Sequence, residues 1–395
     1  MNQSERLQTE QMFLQMGPSH PATHGCVKLN IVLEGERVLD AEMEIGYLHR
    51  AFEKMAEVNT YTRVIPYTDR MNYVSPMINN TGYVMAVEKL LDVEIPRRAQ
   101  ILRVIAGELS RLADHLTCLA AVGMELGAFT VFLYFIEARD LVWDLKELMC
   151  GARLTTSYTR IGGVMRDLHE DFAAMYLSRT PRILQLIKEV RGLLERNRIF
   201  MDRTRGIGVF SREQVIQWGI TGPTGRASGF DYDVRRDFPY CVYDELDFEV
   251  PLGENGDNYD RFIVRVEEMY QSMRIIDQCL ARLEDGPVMS DNHRIALPPK
   301  EKVYSTIEGM IHHFVIIQDG IKTPAGEAYQ AVEGGNGELG FYLVSDGKGR
   351  AYRCRARGPC FFNAAAFSDL IKGGLIADII ASFGLQNFIL GELDR

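Results

Sequence analysis

The stretch LTCLAAVGMELGAFTVFLYFI, residues 116–136, is the strongest single constraint on how this chain can fold. It carries one charged side chain, Glu125, in 21 residues. Roughly 20 predominantly apolar residues suffice to cross a lipid bilayer. The flanks argue against that use: they are acidic (Asp114, Glu137, Asp140), and no Lys/Arg cluster is present to orient a span. No second stretch of this kind occurs, and a chain of 395 residues can bury an all-apolar helix in its own core. The expectation is a core helix and no transmembrane helix. A lone carboxylate in such surroundings is costly unless it is paired or hydrogen-bonded. Glu125 should therefore have a partner, a raised pKa or a place on a wet cavity, and the local sequence does not say which.

Around this helix the patterning is that of an α+β chain, mostly helical, with small sheets near each end. VKLNIVL (27–33) and VLDAEMEI (38–45) alternate about the turn EGER, the signature of a β-hairpin. From about residue 83 the period becomes helical. In 97–117 the apolar residues Ile101, Leu102, Ile105, Leu109, Leu112 and Leu116 fall on one face. Further helices are expected over much of 129–149, over 169–200 with a break at Thr180–Pro181, over 258–284 and over 364–383. Residues 204–260, rich in Gly, Asp, Arg and Tyr, read as a long, irregular, ordered surface segment. A second hairpin is expected at 338–357 around SDGKGR. The implied division is an N-terminal arm with its hairpin sheet (1–66), then a helical bundle (67–395) that carries the 204–260 insert and the C-terminal hairpin.

Several function classes drop out. Lys and Arg number 44 against 54 Asp and Glu, a net charge of −10, so there is no broad basic field to hold nucleic acid. The seven cysteines (26, 118, 150, 241, 279, 354, 360) are odd in number, widely spaced and never in a CxxC. That fits a reducing compartment and removes the usual zinc, iron–sulfur and nickel–iron ligand patterns. The N-terminal MNQSERLQTEQMFLQMG lacks the basic and apolar regions of a signal peptide. GNGELG (335–340) fits GxGxxG, but FYLVSDG follows it, a strand and turn where a dinucleotide site needs a helix. It reads as the glycine-rich approach to a hairpin. No GxxxxGK[ST], HExxH or GxSxG motif is present.

Two segments remain. PSHPATHG (18–25) places His20 and His24 four apart, but the prolines make a rigid loop of it and no third metal ligand is near in sequence. Two surface histidines, or a hydrogen-bond and proton donor at a cavity edge, are equally good readings. YTDRMNYVSPM (67–77) puts Arg70 and Tyr73 three apart beside aromatics and methionines, where core lining is the default.

At these residues a resemblance appears. MGPSHPATHG (16–25), EIGYLHRAFEK (44–54), YTDRMNYVSPM (67–77), SMRIIDQCL (272–280), IHHF (311–314), GEAYQAVEG (326–334), FYLVSDG (341–347) and GELDR (391–395) occur in the order found in the D-subunit family of respiratory complex I, the NADH–quinone oxidoreductase. The resemblance covers about residues 12–395, with no fused C subunit. It implies a fold like the large subunit of nickel–iron hydrogenases, with the metal site vacated and reused as a quinone pocket. It implies a subunit that is not catalytic alone, lying peripherally on the cytoplasmic face of the bacterial inner membrane. Its expected neighbours are the B, C and I subunits and the H and A membrane subunits. Quinone (ubiquinone or menaquinone) would be the substrate, and the terminal [4Fe–4S] cluster would sit on the B subunit. Carried over by position, His24 and Tyr73 would bind and protonate the quinone headgroup, and Arg70 would lie near the cluster. Glu125 would be the partner of His24, at a place where the family has aspartate. The family's titrating histidine in GARxH is replaced here by Thr155 in GARLTTSY (151–158), which cannot take up a proton. The cluster potential should then depend little on pH around neutrality. The alternative is the same role in a related membrane complex driven by ferredoxin or reduced deazaflavin.

Overall fold

The computed structural model describes residues 10–395. The signal-peptide reading and the arm of the 1–66 unit fall partly on residues 1–9, outside the described residues.

The apolar run 116–136 is two helices. The first, which we label α4, spans Arg97–Glu125, and the next, α5, spans Phe129–Cys150. Gly127, at φ +83°, makes the turn between them, a backbone state that a Cβ disfavours. Gly123 lets the two helices close up, since a Cβ there would stand 2.5 Å from Val131. Glu125 is thus the last residue of α4, not the middle of a long apolar helix. Among the described residues no helix is long and apolar enough to cross a membrane.

Helix α4 is the centre of the bundle. The expected apolar face is there, but Arg103, Glu108, Arg111, Asp114 and His115 are buried too, none more than 2% exposed. Three helices precede it: α1 (Phe52–Val58), α2 (Tyr61–Asp69) and α3 (Pro76–Leu91). They lie ahead of residue 83, where the helical period was expected to start. Pro66 inside α2 and buried asparagines on α3 blur the periodicity there. Helix α6 (Phe172–Leu194) is continuous through Pro181, contrary to the expected break. Pro181 removes a bond only to the carbonyl of Leu177, a residue 67% exposed, while Thr180 Oγ1 donates to Tyr176. Helix α7 covers Asn258–Ala281. The single C-terminal helix expected at 364–383 is two, α8 (Pro359–Ile371) and α9 (Ile376–Gln386), parted by Gly373 at φ +82° and Gly374.

The N-terminal hairpin forms as expected, with β2 (Lys28–Glu34) against β3 (Arg37–Glu44). A further strand, β1 (Gln11–Met16), pairs antiparallel with β2. Leu29, Ile31, Leu33 and Val38 face a second core shared with Phe367, Phe383, Phe388 and Leu390. The C-terminal hairpin gains a strand as well: β4 (Gly326–Gly334), β5 (Gly337–Ser345) and β6 (Arg353–Arg357) form an antiparallel meander. Gly335 and Asn336 of GNGELG make its first turn. The segment 204–260 is ordered but not superficial. Ile220–Ser228, Asp233, Val234 and Arg235 are buried, because their charged groups complete a network with α4 and α7.

Candidate functional site

His24 ends a 3₁₀ turn (Pro21–Thr23) in left-handed conformation, φ 49°. That turn projects the imidazole against the end of α4. His24 Nε2 lies 2.7 Å from Glu125 Oε1, with the side chains 22% and 9% exposed. The partner that the Glu125 position demands is therefore His24, 101 residues away in sequence. With the carboxylate ionised, Nε2–H donates to it. Nδ1 then remains as the ring atom for any other ligand. The second carboxylate oxygen, Oε2, has no hydrogen-bond partner among the described residues. It is sealed by Gly384 of α9, whose carbonyl accepts the Cys118 thiol at 3.5 Å. A Cβ at Gly384 would come 2.8 Å from Oε2 and 3.7 Å from His24. Gly384→Ala should therefore push Glu125 off the histidine and destabilise the chain by about 1–3 kcal/mol, the usual cost of overpacking. A denaturant titration measures it; an unchanged midpoint would mean that α9 simply shifts aside.

Tyr73 sits in the loop between α2 and α3. The loop is set by Asn72, whose side-chain oxygen accepts from Val74 N (3.2 Å) and Ser75 N (3.1 Å). The Tyr73 ring packs half-buried on the second core, and its hydroxyl has no hydrogen-bond partner among the described residues. Burial first, with Cys360 and Asp114 adding to it against Arg50, holds the phenol above its ordinary range. It is a proton-carrying donor at neutral pH. Beneath it lies a buried polar cluster. Asp114 accepts from Ser75 (2.9 Å) and Asn387 (2.8 Å), and Glu392 accepts from Asn72 (3.3 Å) and the Cys360 N–H (2.9 Å). Burial raises the Glu392 carboxyl and drives the Cys360 thiol far up, so the thiol keeps its proton.

Arg70, half exposed, caps α2 and reaches back to Pro66 O at 3.0 Å and Asp69 at 3.3 Å. Fully buried Asp69 also takes the Ser157 hydroxyl and Asn80, and burial outweighs these partners to raise its pKa. Arg70 and the 151–158 segment with half-buried Thr155 therefore share one edge. An apolar cleft of about 330 Å³ opens beside it, lined by Arg50, Phe52, Pro66, Tyr67 and Arg70. Neither His24 nor Tyr73 lines this cleft.

Sequence reading missed a buried ionic network. Glu108 takes Arg111 (3.2 Å), Arg235 (3.2 Å), Tyr243 (2.6 Å) and Ser272 (2.7 Å). Glu268 of α7 takes His115 (2.7 Å) and Arg226 (2.6 Å), and Arg226 also reaches Glu333 at 2.8 Å. His115 Nδ1 faces Arg265 at 3.2 Å, and since a guanidinium only donates, the ring is neutral with its proton on Nε2. Burial, the main cause, lowers its pKa accordingly. Asp233 is held down to about 2, because Arg235 and Arg226 outweigh its burial. The signal was present in Arg103, Glu108, Arg111, Asp114 and His115 of α4, but on a helix read as one-faced they pass for a solvated side.

Comparison with known proteins bears on what this arrangement serves. Residues 125–395 match the model of a family described as the respiratory-chain NADH dehydrogenase 49 Kd subunit. The D subunit of the NADH-quinone oxidoreductase of Myxococcus xanthus is 52% identical over 389 residues, 98% of this chain and 94% of that protein. The first of the numbered D subunits of the NADH-quinone oxidoreductase of Sorangium cellulosum is 53% identical over 390 residues, covering 98% and 96%. The chain belongs to this family. Its fold is accordingly that of the hydrogenase large subunit, α+β and mostly helical, and it is a subunit of an oxidoreductase complex. The family match begins at Glu125, so His24, Arg70 and Tyr73 lie ahead of it, while the likeness to whole relatives spans 98% of the chain. Among the described residues no group of three or more His, Cys, Asp or Glu is placed to hold a metal ion. All seven cysteines are free.

Proposed function

We propose that this chain supplies one wall of the quinone site of a proton-translocating NADH–quinone oxidoreductase, the other wall coming from the B subunit with its terminal [4Fe–4S] cluster. The observation that carries this reading is the His24–Glu125 pair, with the Tyr73 hydroxyl of the α2–α3 loop as the second available donor. A half-buried imidazole with one nitrogen committed and one free, and a free phenol, are the groups a quinone needs. The C, I, H and A subunits are its further neighbours, on the cytoplasmic face of the inner membrane.

In this mechanism the headgroup oxygens accept hydrogen bonds from Tyr73 O–H and from Nδ1–H of doubly protonated His24. Electrons come from the cluster in the B subunit. Two electrons and two protons convert quinone to quinol, and Tyr73 and His24 are the proton donors. Loss of the His24 proton leaves Glu125 as an unbalanced carboxylate. That change of charge is the local event available for coupling to the membrane arm. Arg70, a fixed cation at the cluster-facing edge, favours the reduced cluster.

Tyr73→Phe keeps the ring and removes the donor. Quinone reductase activity of the purified complex should fall about a hundredfold, the lower end of what a positioned proton donor supplies. Unchanged activity would return this chain to the status of a scaffold. The donor is read in the same assay: activity with ferredoxin or reduced deazaflavin and none with NADH would place the chain in a related complex.

A further inference from the structure

The two proposed donors sit on separate loops, and the residues packed between those loops decide how far apart the donors stand. His24 follows the 3₁₀ turn Pro21–Thr23, and Tyr73 lies between α2 and α3. One short piece of chain touches both loops. It is the helical turn Leu390–Leu393, whose residues are all buried and which overlaps the motif GELDR (391–395). Nothing in the functional reading so far gives that motif a task.

Three consecutive residues make the contacts. Leu390 abuts Gly25, the residue after His24, so closely that a Cβ there would overlap its side chain. The His24 ring meets Phe383 edge-on at 6.2 Å, and Phe383, Leu390 and Tyr73 belong to one core. Gly391 lies on the backbone of the other loop: a Cβ would stand 2.5 Å from Arg70 O and 2.6 Å from Met71 O. Glu392 takes the next residue, its Oε2 accepting from Asn72 Nδ2 at 3.3 Å and its Oε1 from the Cys360 N–H at 2.9 Å. Asp114, at 3.5 Å, is the weaker second acceptor for that amide. The other side-chain atom of Asn72 is the Oδ1 that holds Val74 N and Ser75 N, on either side of which the Tyr73 loop turns. The helical turn is itself anchored, because the adjacent Asp394 carboxylate accepts from Gly46 N at 3.0 Å and Leu48 N at 2.7 Å.

We propose that residues 390–392 are the spacer that sets the separation of His24 and Tyr73, and that Glu392 is the positioning residue for the Tyr73 hydroxyl. The proposal rests on the reading of His24 and Tyr73 as the quinone donors. Leu390 fixes the spacer against the His24 loop, and Gly391 gives the close approach that lets Glu392 reach Asn72. Glu392 acts through that amide: it orients the group that holds Val74 N and Ser75 N, and with them the backbone from which Tyr73 projects. A misplacement of about 1 Å at a reacting group can lose about a hundredfold in rate, so the effect of this bond belongs in turnover as well as in stability.

The test is a double-mutant cycle on the quinone reductase turnover of the purified complex, at saturating short-chain quinone, with Glu392→Gln and Tyr73→Phe alone and together. The amide of Glu392→Gln can accept from only one of its two donors and turns an N–H toward the other. With Tyr73 in place, turnover should fall about tenfold or more, the scale of a displacement approaching about 1 Å. In the Tyr73→Phe background the same change should cost much less, because the hydroxyl it would misplace is gone. Electron flow to an acceptor that bypasses quinone should be the same in every combination. Equal losses in both backgrounds would show a structural role only and overturn the assignment, as would unchanged turnover in Glu392→Gln alone. If Glu392→Gln does not assemble, Asn72→Ser decides by the same cycle: its hydroxyl can still accept from the backbone two residues on, and the link to Glu392 is what it loses. Unchanged turnover in Tyr73→Phe would end the quinone reading itself. A loss in Tyr73→Phe with an additive loss in Glu392→Gln would leave that reading standing and remove only the spacer.

Discussion

Glu125→Gln should leave the complex assembled and cut quinone reduction by about two orders of magnitude, the lower end of the range for removing a proton-transfer group. The amide can still accept from His24 Nε2 at the 2.7 Å position, so ring placement survives. Its loss is the negative charge that balances a doubly protonated ring. Stability should change little, because Oε2 has no partner to lose and a neutral side chain is easier to bury. Electron flow to an acceptor that draws from carriers upstream of the terminal cluster should be untouched, which separates a defect at the quinone from a defect in assembly. Glu125→Asp shortens the arm by one methylene. With Gly384 fixing the far side of the carboxylate, it should weaken the bond to His24 and give an intermediate rate. Equal rates for all three side chains would show that the pair is structural.

That pair also marks how far a sequence goes. A carboxylate alone among apolar residues announces that it has a partner, because the cost of burying it unpaired is too large. It does not announce which of eight histidines or many cations is the partner, since the contact joins residues 101 positions apart. The resemblance supplied His24 by matching positions, and the geometry puts the two side chains in contact. Strand positions 28–44 were legible because alternation is local. β1 and β4 were not, since each is defined by its pairing with a strand elsewhere.

The misplaced helix ends have one cause. Gly127, Gly373 and Gly374 each break an apolar run without changing its hydropathy, so 116–136, and likewise 364–383, read as single helices. Pro181 misled in the other direction, because a proline costs a helix little when the orphaned carbonyl belongs to an exposed residue. The burial of Lys146 in α5 was invisible for a different reason: lysine on a helix is ordinarily solvated, and only the packing of α5 against α4 and α6 reveals that this one is not.

Glu268→Gln should destabilise the chain by about 3–5 kcal/mol, the cost of removing one partner from a buried ion pair. The carboxylate is fully buried and receives His115 at 2.7 Å and Arg226 at 2.6 Å. The amide can keep one of these bonds but offers Arg226 an N–H where it needs an acceptor. Arg97→Ala is the control. Its pair with Glu245 is about half exposed and should be worth less than about 1 kcal/mol. The pH dependence carries a second signature. His115 is neutral when folded, with its pKa pushed below the ordinary 6.5 mainly by burial, so the unfolded chain binds that proton first and stability falls as pH drops through 6.5. Glu268 lies well below its ordinary 4.5, because Arg226 and His115 outweigh its burial. Its contribution is present above 4.5 and disappears as pH falls through the lower folded value. Wild type should therefore lose stability in two stages on acidification, and Glu268→Gln should lack the second. Denaturant titrations at several pH values, with the amount of this chain retained in the purified complex as a second readout, would show it. A variant within about 1 kcal/mol of wild type at every pH would mean that Glu333 and Asp233 absorb the freed Arg226 charge, and that the network holds more anionic capacity than its cations require.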